Sequence, residues 1–303
     1  MRDNQLIVEP IVKRVRGLSD GGNIVLGVML VIASSLLFAI GGAATKGLST
    51  SVPPASALIW RSLISSVIIA AWFAAVGWPR IRSTRMDLHI ARGLATFAGL
   101  WTYFGALALI PLSSAVLLRT AAPVFVPVVA YGLYRRRSDR FVWIGAWIGL
   151  VGIAMLVKPT SFGVGLGELL GVASGVLGAV GAVLIWRLAS VDDVATQLLW
   201  VTLVGAVSSA IVAPWYLTRP ELSDWLLVFV MAVTTLASQI VLAYAFKVAP
   251  ADKTITWGYL SVIFGGLFGA IYWSETPTMM AMFGMVIVVL GSHIASIRRR
   301  TST

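Results

Sequence analysis

ALALIPLSSAVLLRTAAPVFVPVVAYGLYRRRSDRFVWIGAWIGLVG, residues 106–152, decides how this chain is read. An apolar helix end, Ala106 to Ile110, stops at Pro111. A new apolar run follows from Ser113 to Tyr134, then a basic cluster (Arg135, Arg136, Arg137, Arg140), then a further apolar run from Phe141 to Val157. Shifted by 139 positions without a gap, the stretch falls on residues 245–291. Ala106 then meets Ala245, Pro111 meets Pro250, Phe125 meets Phe264, Gly145 meets Gly284, Ile148 meets Ile287 and Gly152 meets Gly291. The matching order of apolar runs, prolines and glycines reads as one helical unit written twice, and such a repeat governs the architecture.

Composition sets the class. Hydrophobic residues make up 58% of the 303 and charged residues only 12%, against about 25% charged in a soluble domain. The chain cannot cover a water-facing surface at that rate, so it is expected to be an integral membrane protein. Its net charge of +11 would point to nucleic acid in a soluble protein. Here the basic residues lie in tails and short loops, where they orient a membrane chain, so no nucleic-acid partner is expected. Cysteine is absent, which removes disulfides and thiol chemistry.

A bilayer core of about 30 Å takes roughly 20 apolar residues per helix. Ten stretches fit or nearly fit: 24–45, 55–76, 88–110, 113–134, 141–157, 167–188, 195–217, 225–248, 252–273 and 277–297. The tail before them is polar, and the run behind it is long enough to span, so no cleaved signal is expected. With the N-terminus inside, 17 lysines and arginines lie in cytoplasmic tails and loops, and 3 (Lys46, Lys158, Arg219) lie outside. This bias puts both termini in the cytoplasm. Arg61, Arg92 and Arg119 remain within spans.

Ten spans divide as five and five. Five is odd, so the second unit enters from the opposite side, the inverted-repeat plan of secondary transporters. The expected division is a tail at 1–23, a first repeat at 24–158, a second at 159–298 and a tail at 299–303. The first and sixth spans support it at an offset of 140, where Leu30, Ala33, Ser34, Ala39, Gly41 and Leu48 meet Leu170, Ala173, Ser174, Ala179, Gly181 and Leu188. Three motifs then carry a resemblance: Ala245-Phe-Lys-Val-Ala-Pro250-Ala-Asp252, Tyr272-Trp-Ser-Glu275-Thr-Pro277, and Phe283-Gly284 through Leu290-Gly291. The chain resembles the drug/metabolite transporter superfamily and, within it, the EamA-type exporters. The resemblance implies export of small metabolites across a bacterial inner membrane. By overall similarity and aromatic content the chain particularly resembles the YddG group, exporters of aromatic and hydrophobic amino acids. The first unit departs from the pattern: Arg136 stands where the second has Glu275. Glu275 itself reads as a helix-end residue, with Thr276 as N-cap and Pro277 at the first helical position.

No hydrolase, phosphate-loop or metal pattern is found, so neither an enzyme nor an ATP-driven pump is expected, and no cofactor. His89 and His293 have no acidic or cysteine neighbour at ligand spacing. Arg119 lies about six residues into the fourth span, roughly 9 Å from its outer end. An arginine at that depth needs a partner or a wet cavity, unless it snorkels outward. For Arg61 snorkelling is the expectation; Arg92 reads as an interface anchor, and Lys46 as the close of the first span. Trp101, Trp257 and Tyr259 sit too deep for an interfacial belt. With Tyr103, Gln239 and Tyr244 they complete the expected substrate-binding set, in which Arg119 takes a carboxylate and the aromatics supply stacking and cation–π contacts. No Asp or Glu lies deep in a span, which points to facilitated diffusion or exchange. The expected partners are a small-molecule substrate and the lipid bilayer, with no obligate protein partner. A non-transporting membrane protein is the alternative class.

Single cysteines at Ser161 and Thr218 are expected to react with an impermeant thiol reagent from outside the cell. Labelling of either from the cytoplasmic side alone overturns the orientation.

Overall fold

The structure, a computed structural model, describes residues 24–77, 83–135, 140–156, 165–188, 191–249 and 255–296. The N-terminal tail, the Lys158-Pro159 loop, Arg136, Pro250, Asp252 and the Arg298 to Arg300 cluster lie outside the described residues. Among those described, the chain is helical, with two short 3-10 segments and no strand. The helices are α1 (Ile24–Leu48), α2 (Pro54–Val76), α3 (Met86–Leu109), α4 (Leu112–Thr120), α5 (Ala122–Tyr134), α6 (Arg140–Leu156), α7 (Leu166–Leu188), α8 (Val194–Tyr216), α9 (Trp225–Val248), α10 (Leu260–Trp273) and α11 (Met279–Ser296). The 3-10 segments, Leu222–Asp224 and Ile255–Tyr259, lead into α9 and α10. Among the described residues, six segments are long and apolar enough to cross a bilayer: Ile24–Leu48, Pro54–Ala75, Leu112–Tyr134, Leu166–Ile185, Val194–Tyr216 and Leu222–Ala245. Trp143–Met155, Trp257–Trp273 and Met279–Gly291 are shorter apolar helices.

Helix boundaries recur along the chain. α2 and α8 begin and end 140 positions apart, and α3 and α9 begin and end 139 apart. The two non-glycine residues with positive φ among those described, Arg135 (53°) and Ser274 (54°), are also 139 apart. Each closes its helix in the left-handed conformation, which satisfies a terminal carbonyl at some steric cost.

The fourth span is not continuous. Pro111 precedes α4 with φ −54° and has no N–H to extend α3. α4 then stops at Thr120, where Ala121 (ψ 5°) leaves helical geometry. At the matching place in the second half, 139 positions on, the 3-10 segment ends at Tyr259 and α10 begins. Both halves therefore interrupt a helix at the same point.

The packing is reciprocal. α1 lies against α9 and α10, while α7 lies against α3, α4 and α5. α2 packs on α8, α4 on α10 and α6 on α11. The main core gathers Leu48, Tyr103, Phe104, Leu107, Leu117 and Met231. Large apolar residues face outward, among them Trp147, Ile211, Trp215, Leu226, Ile271 and Phe283. Such continuous apolar exposure is what a lipid-facing surface needs.

The α6–α11 contact depends on missing side chains. A Cβ on Gly291 would stand 2.5 Å from the Gly149 nitrogen and 2.6 Å from the Gly145 oxygen. Small residues bring two membrane helices this close. Gly291→Val is expected to separate the pair and cost about 1–3 kcal/mol, read as a lower thermal midpoint of the purified protein. An unchanged midpoint would contradict the close approach.

Candidate functional site

Charged side chains lie inside the bundle at three levels. At the end carrying the α1–α2 turn, Lys46 Nζ pairs with Glu275 Oε1 at 2.8 Å and donates to the carbonyls of Ile110 (2.8 Å) and Leu107 (3.3 Å). Glu275 Oε2 accepts the N–H of Leu112 at 2.8 Å, one of the free donors that begin α4. Lys46 thus does more than close a helix, and Glu275 does more than end one. The N-terminus of α11 takes its side-chain bond from Thr278, whose Oγ1 accepts from the Ala281 N–H at 3.3 Å, and not from Thr276.

At the opposite end, Arg92 (9% exposed) donates to Gln197 Oε1 at 2.9 Å, so it is held inside the bundle and does not act as an interface anchor. His89 Nε2 donates to Asp192 at 2.9 Å, a carboxylate partner that local spacing did not reveal. Its Nδ1 is buried without a partner, and its ring stacks on Trp200 at 5.8 Å. Burial acts to raise the Asp192 pKa, but the bonds from Ser83 and His89 outweigh it and hold the carboxyl below its usual range.

The middle level holds Arg119, Tyr103 and Arg61. Arg119, in the last turn of α4, donates to the Ser174 carbonyl at 2.8 Å. Glycine makes room for it: a Cβ on Gly178 would meet its Nη1 at 2.5 Å, and one on Gly99 at 3.3 Å. Tyr103 is buried against Phe38 at 5.7 Å, and its hydroxyl has no partner. Arg61 is also buried. Its Nε donates to Thr235 Oγ1 at 2.9 Å, so this arginine turns inward and does not snorkel. Its charge and that of Arg119 act on each other. Neither has a carboxylate partner among the described residues.

A cavity of about 480 Å³, its open mouth included, lies where α2, α3, α8 and α9 meet. Its walls repeat across the halves. Arg61, Ser62 and Ser65 of α2 face it, and so do Val201, Thr202 and Gly205 of α8, each 140 positions on. Phe97 and Leu100 of α3 correspond likewise to Leu236 and Gln239 of α9, at 139.

The residues singled out from sequence separate into groups. Arg119 and Tyr103 come together at the centre, and Gln239 lines the cavity with Arg61. Trp101 sits edge-on to Tyr216 at 5.2 Å and beside Phe97 at 5.8 Å. Tyr259 is buried beside the interruption before α10. Trp257 and Tyr244 are 47% and 45% exposed, and neither lines the cavity.

An apolar bundle that keeps cations inside and opens a cavity between its halves is built as a membrane transporter. The chain belongs to the EamA-like transporter family, whose model matches residues 25–158 and again 165–297. That places it in the drug/metabolite transporter superfamily, among transporters and not enzymes. It is 27% identical over 267 residues to the pseudopaline exporter of Pseudomonas aeruginosa, covering 87% of this chain and 93% of the relative. It is 22% identical to the S-adenosylmethionine uptake transporter of Rickettsia prowazekii (87% and 90% covered). It is 21% identical to the riboflavin transporter of Vibrio cholerae (87% and 90%). A solved crystal structure at 20% identity superposes with a TM-score of 0.61 over 89% of this chain and 96% of the other, which supports the fold alone.

Lys46→Met or Glu275→Gln leaves one charge without its partner inside the bundle, a loss of about 3–5 kcal/mol. Replacing both by methionine is expected to recover most of it. Thermal melts of the three variants in detergent check this, and a double variant no more stable than the singles would contradict it.

Proposed function

We propose that the chain is a secondary transporter exporting small carboxylate-bearing metabolites, with aromatic and hydrophobic amino acids as the favoured class. It works by alternating access of two inverted five-span repeats in the bacterial inner membrane, with both termini in the cytoplasm. The observation that carries this reading is the central pair of buried arginines, Arg61 and Arg119, without a carboxylate beside either among the described residues. An arginine in a membrane interior is costly unless it faces a partner or a water-filled path. An anionic substrate group would supply that partner, and the planar guanidinium suits a carboxylate.

Three features support the two-repeat mechanism. Helix boundaries recur at 139 or 140 positions. The family model matches each half separately. Both halves interrupt a helix at one matching point, Thr120 and Tyr259. Paired interruptions mark the substrate region of inverted-repeat transporters, because a broken helix presents backbone groups to the ligand. Arg119 stands at the first interruption and Tyr259 at the second, with Trp257 in the same 3-10 turn, while Tyr103 belongs to α3. Trp101, Gln239 and Tyr244 complete the proposed set along the path. The named relatives carry unlike substrates, so the amino-acid assignment rests on the site's chemistry.

Purified protein in liposomes is expected to exchange labelled phenylalanine or tryptophan and to ignore sugars and nucleotides. Arg119→Ala should raise the half-saturating concentration about tenfold or more, since a hydrogen bond to a charged group contributes about 1.5–3 kcal/mol. Arg119→Lys should fall between. Sugar or nucleotide flux without phenylalanine flux would refute the reading.

A further inference from the structure

We infer that Arg61 is the anion-binding residue of the central cavity, and that the site takes a small carboxylate with an apolar body and does not require an ammonium group. This rests on the transporter reading above but names a different residue and a wider substrate class.

The geometry of Arg61 makes it a fixed donor. Its Nε is anchored on Thr235 Oγ1 at 2.9 Å. The Thr235 hydroxyl proton is already committed to the Met231 carbonyl at 2.6 Å, so the oxygen accepts from Arg61 through a lone pair. The anchor uses only one edge of the guanidinium. The terminal nitrogens have no protein partner among the described residues and are not sealed away, since the buried unpaired atoms do not include them. Arg61 lines the cavity, so its fork opens there. Ser65 lines the same cavity, and its hydroxyl is buried without a partner. One turn of α2 thus places a cation at the cavity and an enclosed, unpaired hydroxyl beside it.

Arg119 is placed differently. Its Nη1 is held by the Ser174 carbonyl on α7 and enclosed by Gly99 and Gly178, and it does not line the cavity.

The opposite wall sets the rest of the ligand. Where α2 has Arg61, α8 has Val201; Phe97, Leu198 and Leu236 add apolar surface. A ligand with a carboxylate at one end and an apolar body at the other matches both walls. No acid among the described residues lines the cavity, and the Arg61 guanidinium repels an ammonium. The positive end of a zwitterion therefore gains nothing here beyond Gln239 and the hydroxyls.

The test compares phenylacetate, phenylacetamide and phenylalanine as ligands of the full chain in detergent, by calorimetry and thermal shift. Phenylacetate should bind at least as well as phenylalanine, and the amide should not bind. Arg61→Gln should weaken phenylacetate roughly ten- to hundredfold, the loss of a charge-assisted hydrogen bond. Arg61→Lys should lose less. Thr235→Val keeps the charge but frees the guanidinium, so it should also weaken phenylacetate; with Arg61→Lys it decides the matter if Arg61→Gln does not fold. Equal binding of acid and amide, or a folded Arg61→Gln that binds like the parent, overturns the inference. Phenylalanine binding without phenylacetate binding also overturns it and leaves the amino-acid reading standing. Phenylacetate binding lost in Arg61→Gln, with no flux of any solute in liposomes, keeps this site and removes the export reading.

Discussion

Glu275 accepts two bonds, one from the Lys46 ammonium and one from the Leu112 N–H. Neither donor belongs to its own segment. Lys46 is near the end of α1, Leu112 opens α4 after the Pro111 hinge, and Glu275 lies between α10 and α11. Three chain reversals are tied at one carboxylate. The carbonyls of Leu107 and Ile110, left without helical donors at the end of α3, bind the same ammonium. A buried ion pair holds only when its remaining donors and acceptors are also met, and here the orphaned groups of two helix ends meet them. Fixing the start of α4 in turn fixes Arg119, seven residues or roughly 10 Å further along the axis.

Hydrocarbon offers no hydrogen bonds, so polar groups in the bundle must be satisfied within it. Many hydroxyls do this locally: Ser35, Thr45, Thr120, Thr202, Thr234 and Thr235 each donate to the carbonyl four residues back. Such a hydroxyl is spent as a donor but can still accept, which is how Thr235 holds Arg61. Against this background the groups left over carry information. The Tyr103 hydroxyl and Ser65 Oγ are both buried without partners in the middle of the bundle, close to the two arginines that lack acids.

Much of this was legible in the sequence, because the repeat and the apolar runs are local signals. The offsets of 139 and 140 located the matching helix ends, and the depth of Arg119 in its run left it either an inward partner or an outward reach. The pairings were not legible. Lys46 and Glu275 are 229 positions apart, His89 and Asp192 103. Side-chain spacing reads only what shares a helix face, and these partners meet through the fold. Arg61 failed for a related reason. An arginine's length permits it to reach outward or turn inward, and the choice was made by Thr235, 174 positions away. For the aromatic set, depth in a span does not fix the direction a side chain takes. Trp257 is deep by sequence yet half exposed.

The charges divide by half in a way that bears on motion. Lys46, Arg61, His89, Arg92 and Arg119 all lie in the first half. The side chains and carbonyl that hold them across the halves, on Glu275, Thr235, Asp192, Gln197 and Ser174, all lie in the second. The backbone repeats while the chemistry does not: Arg61 corresponds to Val201, and Arg119 to Gly258. A repeated backbone gives two packings of similar energy, which rocking of one half against the other requires. Unlike side chains prevent a bound ligand from lying equally well in either sense. If the halves rock as proposed, the bonds to be exchanged are these cross-half contacts. For the central arginines, which lack an acid among the described residues, an anion that stayed with the first half would lower the cost of parting them from the second.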